Sequence, residues 1–214
     1  MTCYVVLYCF SPYLNRLVHN LSQKSYKQLL LLWGFFFVFA PTILFFEIQN
    51  TGENADKDSI VQLSAVLLDK DNLLEKNNFN SYIKVSYLDS VIADHARLLN
   101  VDQNMLRKSP KVYDCIKQFN HKFGNDLLLA SYSFDNLLFL KNAFKKAVVP
   151  FNYDPHIVQL WTLGYIYTLN YGLKKMPTLN TFLDYFRLKL KNPFDSMERA
   201  RLEAEVFRKI IKEV

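Results

Sequence analysis

Ser81 and Lys84 stand three residues apart, the spacing at which an amine can serve as base to a serine nucleophile, and Asp94 adjoins His95, a carboxylate beside an imidazole. Neither pair carries its chemistry further. Ser81-x-x-Lys84 lacks every motif that accompanies a serine-lysine catalytic set, and it reads more simply as a helix cap followed by a solvated lysine. Neighbours on a helix point in different directions, so Asp94 does not orient His95, which reads as a core-edge histidine. His19, His95, His121 and His156 fit no common metal spacing and Cys115 has no partner cysteine close by, so neither a metal nor a cofactor is expected. A phosphate loop needs clustered glycines, whereas Gly124, Gly164 and Gly172 are scattered. With no catalytic set in view, the sequence reads as that of a non-enzymatic protein.

The stretch PFNYDPHIVQLWTLGYIYTLNYG gathers Tyr153, Trp161, Tyr165, Tyr167 and Tyr171 just ahead of Lys174 and Lys175. Aromatics interleaved with lysines could stack single-stranded nucleic acid. The spacing of Ile157, Leu160, Trp161, Tyr165 and Thr168 is helical, however, which favours a core with a protein interface and leaves nucleic acid an unfavoured partner. The chain's net charge of +6 is unevenly placed: Lys141 to Val214 carries thirteen basic and seven acidic side chains, Ile48 to Leu140 ten and twelve. Tyr165, Tyr167, Tyr171, Lys174, Lys175, Arg187, Lys189 and Lys191 are therefore the candidate partner-binding residues, suited to an acidic segment of a protein partner.

The elements that would position them begin with an anchor. LLLLWGFFFVFAPTILFF, Leu29 to Phe46, is uncharged and at about 1.5 Å per residue is long enough to cross a bilayer. This divides the 214 residues into a leader (1–28), a transmembrane helix (29–48), a linker (49–58) and a soluble helical domain (59–214). Arg16, Lys24 and Lys27 precede the span and only Lys57 follows closely, which predicts a single-pass cell-membrane protein, N-terminus in the cytoplasm and domain outside. Beyond the linker, Ser59 or Asp58 would cap a helix from Ile60 to Leu68, and Ser81 one running to Leu98. Further helices are expected between Ser109-Pro110 and Gly124, over Leu127 to Val148, from Asp154-Pro155 to Gly172, and from Thr178 to Asn192-Pro193. Asp195-x-x-Glu198 would form a capping box for the last. The expected fold is all-α, a single N-terminal transmembrane helix followed by about six or seven helices.

AFKKAVVP at Ala143 to Pro150 and YIYTLNYG at Tyr165 to Gly172 resemble two blocks of the DotM/TrbA family of type IVB secretion and conjugation coupling-complex membrane proteins. Phe144 stands where that family has arginine, Ala147 where it has glycine and Ile166 where it has tryptophan. The resemblance implies a membrane-anchored interaction protein of a conjugation or secretion apparatus, and a cytoplasmic domain in place of the external one that the flanking charges predict. One such accessory blocks plasmid transfer into a cell that already carries the plasmid. The alternatives are a membrane-anchored helical enzyme and a nucleic-acid-binding module.

Overall fold

Thr42–Asn50, the sequence TILFFEIQN, is a β-strand (β1) and not the end of a membrane helix. A computed structural model of the chain describes residues 42–69, 71–85, 89–153, 157–170 and 178–213. Residues 29–41 of the expected anchor, and the leader before them, lie outside that set. Among the described residues no helix is long and apolar enough to cross a membrane. The apolar run at 42–48 has another cause: Ile43, Leu44, Phe45 and Phe46 are all buried because helices cover the sheet on both faces, and such strands lose the alternation that marks a half-exposed one.

Ile60–Leu68 (β2) pairs antiparallel with β1, and Glu75–Tyr82 (β3) antiparallel with β2. Leu127–Ser131 (β4) pairs parallel with β1 and Ile157–Gln159 (β5) parallel with β4, giving the order β3-β2-β1-β4-β5. The all-α expectation is thereby overturned. The helix expected over Ile60 to Leu68 is a strand, in which the apolar positions and the polar Gln62 and Ser64 alike are packed on one face or the other. The stretch NNFNS, which reads as a break, lies in β3 at the sheet edge, where polar residues face solvent.

Among the described residues seven helices accompany the sheet: Asp89–Leu99 (α1), Gln103–Lys108 (α2), Val112–Phe123 (α3), Asp135–Lys146 (α4), Leu160–Asn170 (α5), Leu179–Tyr185 (α6) and Ser196–Glu213 (α7). Gly124, with φ of 67°, ends α3 in the left-handed region that glycine adopts without strain. Thr178 caps α6 in reciprocal exchange with Thr181. Asp195 Oδ1 accepts from the Met197 N–H at the start of α7, but Glu198 does not complete the expected box: its carboxylate accepts from the N–H groups of Lys191 and Asn192.

The sheet's period of two sorts its residues between two cores. Leu44, Phe46, Ile48, Leu63 and Ala65 join Ile116 and Phe119 of α3 and Leu140 and Phe144 of α4 in the larger one. On the opposite face Phe45 meets Phe207 of α7 with ring centroids 5.3 Å apart. That face turns polar toward the end of β1, and a buried network pins α7 there. Gln62 donates to Asn80 Oδ1 and Asp195 Oδ1 and accepts the Ser196 N–H, while the Ser64 and Ser196 hydroxyls meet at 2.7 Å.

At the sheet edge Arg201 of α7 donates two bonds of 3.1 Å to the Glu75 carboxylate. That hydrogen bond is the main reason the Glu75 carboxyl titrates below its ordinary 4.5, burial acting the other way without prevailing. Glu75→Gln is expected to cost about 0.5 kcal/mol at neutral pH, the pair being largely solvated. The folded state releases this proton more readily than the unfolded one, so the stabilisation is whole above pH 4.5 and disappears as pH falls through the depressed folded value. Melting curves of the two proteins should therefore converge in acid.

Candidate active site

Alternation along β1 puts Glu47 and Gln49 on the face toward α7, opposite Ser64 and Gln62 of β2. Glu47 is 3% exposed. From α7, Arg199 and Glu203 project four residues apart and so from one side of the helix. Arg199 Nη2 lies 3.3 Å from Glu47 Oε1, and the second Glu47 oxygen accepts the Ile48 N–H at 3.3 Å. Glu203 is fully buried, and its Oε2 accepts the N–H of Tyr132, the residue after β4, at 2.9 Å.

Glu203 Oε1 meets no hydrogen-bond donor among the described residues. Burial first and the Glu47 charge second disfavour its ionised form. Arg199 and the Tyr132 N–H pull the other way without prevailing, so Glu203 titrates well above the ordinary carboxylate range. Glu203 therefore favours its protonated form beside the Glu47–Arg199 pair. Burial alone would lower the Arg199 guanidinium, but the charges of Glu47 and Glu203 outweigh it and the net shift is upward. The Tyr132 phenol is pushed up to about 12 by burial and by the Glu203 charge.

The centre opens into a polar cleft of about 260 Å³ bounded by Glu47, Gln49, Asn50, Asp135, Pro193 and Arg199. Asp135 is exposed at the first turn of α4, where its N–H meets Ser133 Oγ at 3.1 Å. Behind it Asn136 donates to Ser131 Oγ at 2.8 Å, which ties α4 to the end of β4. Strand ends and helix starts therefore deliver one arginine, two carboxyl groups and several amides to one opening, with Glu203 buried out of reach of solvent.

None of the residues expected to bind a partner belongs to this centre. Tyr165 is half-buried and stacks on Trp161 at 6.2 Å; Tyr167 is buried against Phe182, Tyr185 and Phe186. Tyr171, Lys174 and Lys175 lie outside the described residues. Arg187, Lys189 and Lys191 are exposed along the segment that leads from α6 to Pro193 at the cleft. Sequence reasoning passed over Glu47, Asp135, Arg199 and Glu203. The available signals were an acid and an amide two apart at the end of an apolar run, and a basic and an acidic residue four apart on the Ala200–Ala204–Phe207 side of a helix.

The family model described as Exonuclease matches residues 48–207. The chain belongs to the exonuclease family. It is 25% identical over 173 residues to the PolC-type DNA polymerase III of Bacillus subtilis (strain 168), and 26% identical over 110 residues to that of Oceanobacillus iheyensis. These matches span 80% and 51% of this chain but only 12% and 7% of the two relatives. Among solved structures the cell-death related nuclease CRN-4 superposes with a TM-score of 0.68 at 14% identity, covering 81% of this chain and 64% of that one. The nuclease domain of 3'hExo, a DEDDh family member bound to rAMP, gives 0.62 at 13%, covering 82% and 94%. The zinc-bound E. coli ExoI–ssDNA complex gives 0.64 at 13%, covering 81% and 41%.

These findings correct the sequence reading. The likeness to DotM/TrbA proteins gives way to the exonuclease family, and with it go the conjugation role, the non-enzymatic reading, the acidic protein partner and the rejection of nucleic acid. The single-pass membrane placement falls as well, because the last part of the expected anchor is a central strand of this fold.

A relative that binds a metal ion raises the question of whether this centre would hold one. In the arrangement seen it does not fit: no three His, Cys, Asp or Glu residues are grouped to hold an ion among the described residues, and Glu47 is already engaged by Arg199.

Proposed function

We propose that this chain is a nuclease that acts on the end of a single-stranded nucleic acid, the terminal phosphodiester lying in the cleft over Glu47, Asp135 and Arg199. The observation that carries this reading is the buried Glu47–Glu203–Arg199 centre at the foot of an open polar cleft, in a chain of the exonuclease family. Arg199 is suited to meet phosphate oxygens, since a guanidinium presents paired donors to them. Glu203, fully buried and disposed to keep its proton, does not line the cleft, which leaves Glu47 and Asp135 as the carboxyl groups within reach of a substrate. Gln49 and Asn50 offer amides for sugar and base edges.

The direct test incubates the full chain with single-stranded DNA or RNA labelled at its 5′ end, with Mg²⁺ or Mn²⁺ in the buffer. Progressive shortening from the 3′ end is expected, and Asp135→Asn should abolish it. Strands that stay intact with every ion would overturn the reading. Glu203→Gln should meanwhile melt above the wild type at pH 8 and equal to it in acid. The raised folded value means that the wild type carries its full stability below pH 4.5 and loses part of it as pH rises toward that value.

We infer that the exposed Arg187, Lys189 and Lys191, on the segment that leads to Pro193, follow the backbone of the incoming strand. Charge reversal at Lys189 and Lys191 together is expected to weaken strand binding by at least tenfold at low salt and to flatten its salt dependence by roughly two phosphate contacts. Fluorescence anisotropy across a salt series reads both.

A further inference from the structure

A second hollow lies at the other end of α4 from the cleft, and it is charged the other way. We propose that it is a binding site for a phosphate group, held between Lys84 and Lys146. The inference goes beyond the nuclease reading and does not depend on it.

The hollow, of about 150 Å³, is bounded by Asp58 and Ser59 of the β1–β2 loop, Lys84 after β3, Val112 at the start of α3, and Asn142 and Lys146 of α4. Its walls are tied in place. The Lys84 N–H donates to the Pro110 carbonyl at 2.8 Å, and the Asn142 amide donates to the Ala55 carbonyl. The floor is dry, since Ile60, Ile83, Phe139 and Ala143 are all buried. Charges above an apolar floor act through a low dielectric, which strengthens their pull on an anion. Lys146 has a partial explanation of its own, as a cation in the last turn of α4 whose Nζ donates to the Asp58 carbonyl at 3.3 Å. Lys84 has none: it belongs to no helix, and neither lysine is paired with a carboxylate among the described residues. The acid on the wall is turned aside. The Asp58 carboxylate is folded against Gly52, where a Cβ would collide with it, and it accepts the Asn54 N–H at 2.8 Å. Donors therefore outnumber free acceptors at the opening. Two ammonium groups and the Ser59 hydroxyl suit the several acceptor oxygens of a phosphate better than the pair on a carboxylate.

The test follows the backbone N–H signals of the full, isotope-labelled chain by NMR, in EDTA, as sodium phosphate is added. Ser59, Lys84 and Val112 are expected to shift along one saturating curve, with KCl of equal ionic strength leaving them in place. Lys84→Gln should weaken that binding by about tenfold, the loss of one hydrogen bond to a charged group. Lys146→Gln, on a separate element, should do the same, and the rest of each spectrum reports that the fold is intact. Unmoved signals, movement matched by KCl, or full-strength binding in both variants would overturn the proposal. Two sources of the group are told apart by AMP and by a short single strand with hydroxyls at both ends. AMP alone moving the signals marks a phosphomonoester, the strand alone marks a backbone phosphate, and both together mark a site that takes either. A strand that is never shortened would sink the nuclease reading while leaving these phosphate results standing.

Discussion

Arg199→Met should destabilise the domain by about 3 kcal/mol at neutral pH, because removing one partner of a buried pair leaves the other charge uncompensated. The lower end of the range for such pairs applies, as the Arg199 side chain is 31% exposed while that of Glu47 is 4%. The loss is larger than the pair's own worth. Replacing both partners with apolar groups would be milder, so Glu47→Leu combined with Arg199→Met is expected to recover much of the deficit. Protonation removes the stranded charge, so the deficit of the single variant should shrink as pH is lowered. Urea melts at pH 8 and pH 5 check this. A single variant as stable as the wild type at both values would mean that Arg199 and Glu47 are not paired in the folded chain.

Phe119→Ala is expected to cost about 3–5 kcal/mol, the range for emptying a large aromatic site in a core that cannot collapse around the gap. Phe119 is fully buried, and its ring lies edge-on to Phe79 of β3, Phe144 of α4 and Tyr153 at centroid distances of 5.5, 6.3 and 6.3 Å. Those contacts join the sheet edge, α3 and α4 across one face of the sheet, so no single element can move to fill the space. For a domain of this size the loss corresponds to a fall in Tm of roughly 10 °C. Phe119→Leu keeps most of the volume and should lose far less. An alanine variant within about 1 kcal/mol of the wild type would contradict the packing described.

Local signals in the sequence marked helix ends better than they marked the fold. Gly124 closes α3 and Thr178 opens α6 as their residue types predict, because a left-handed φ and an unpaired N–H are needs that a few neighbouring residues settle. The sheet was hidden by burial. In TILFFEIQN and IVQLSAVLL both strand faces are packed, so alternation is confined to the short stretches Phe46–Gln49 and Val61–Ala65, and an apolar run ahead of a polar stretch has the look of an anchor. The site was hidden for a second reason. Glu47 comes from β1, Asp135 from the start of α4, and Arg199 and Glu203 from α7, so more than 150 residues of chain separate its extremes and no short motif contains it. Arg199 and Glu203 look like ordinary charges of a solvated helix face, and only the position of α7 on the sheet buries Glu203 and half-buries Arg199.

Where the strand end sits is the claim on which the rest depends. A single strand carrying a photoactivatable thio-substituted base at its 3′ terminus, crosslinked to the full chain and mapped by mass spectrometry, places that end directly. Attachment to peptides containing Gln49–Asn50 or Ser133–Asn136, lost on competition with an unmodified strand, is the expected result. Crosslinks confined to the opposite hollow lined by Ala55, Lys84 and Lys146 would contradict the account.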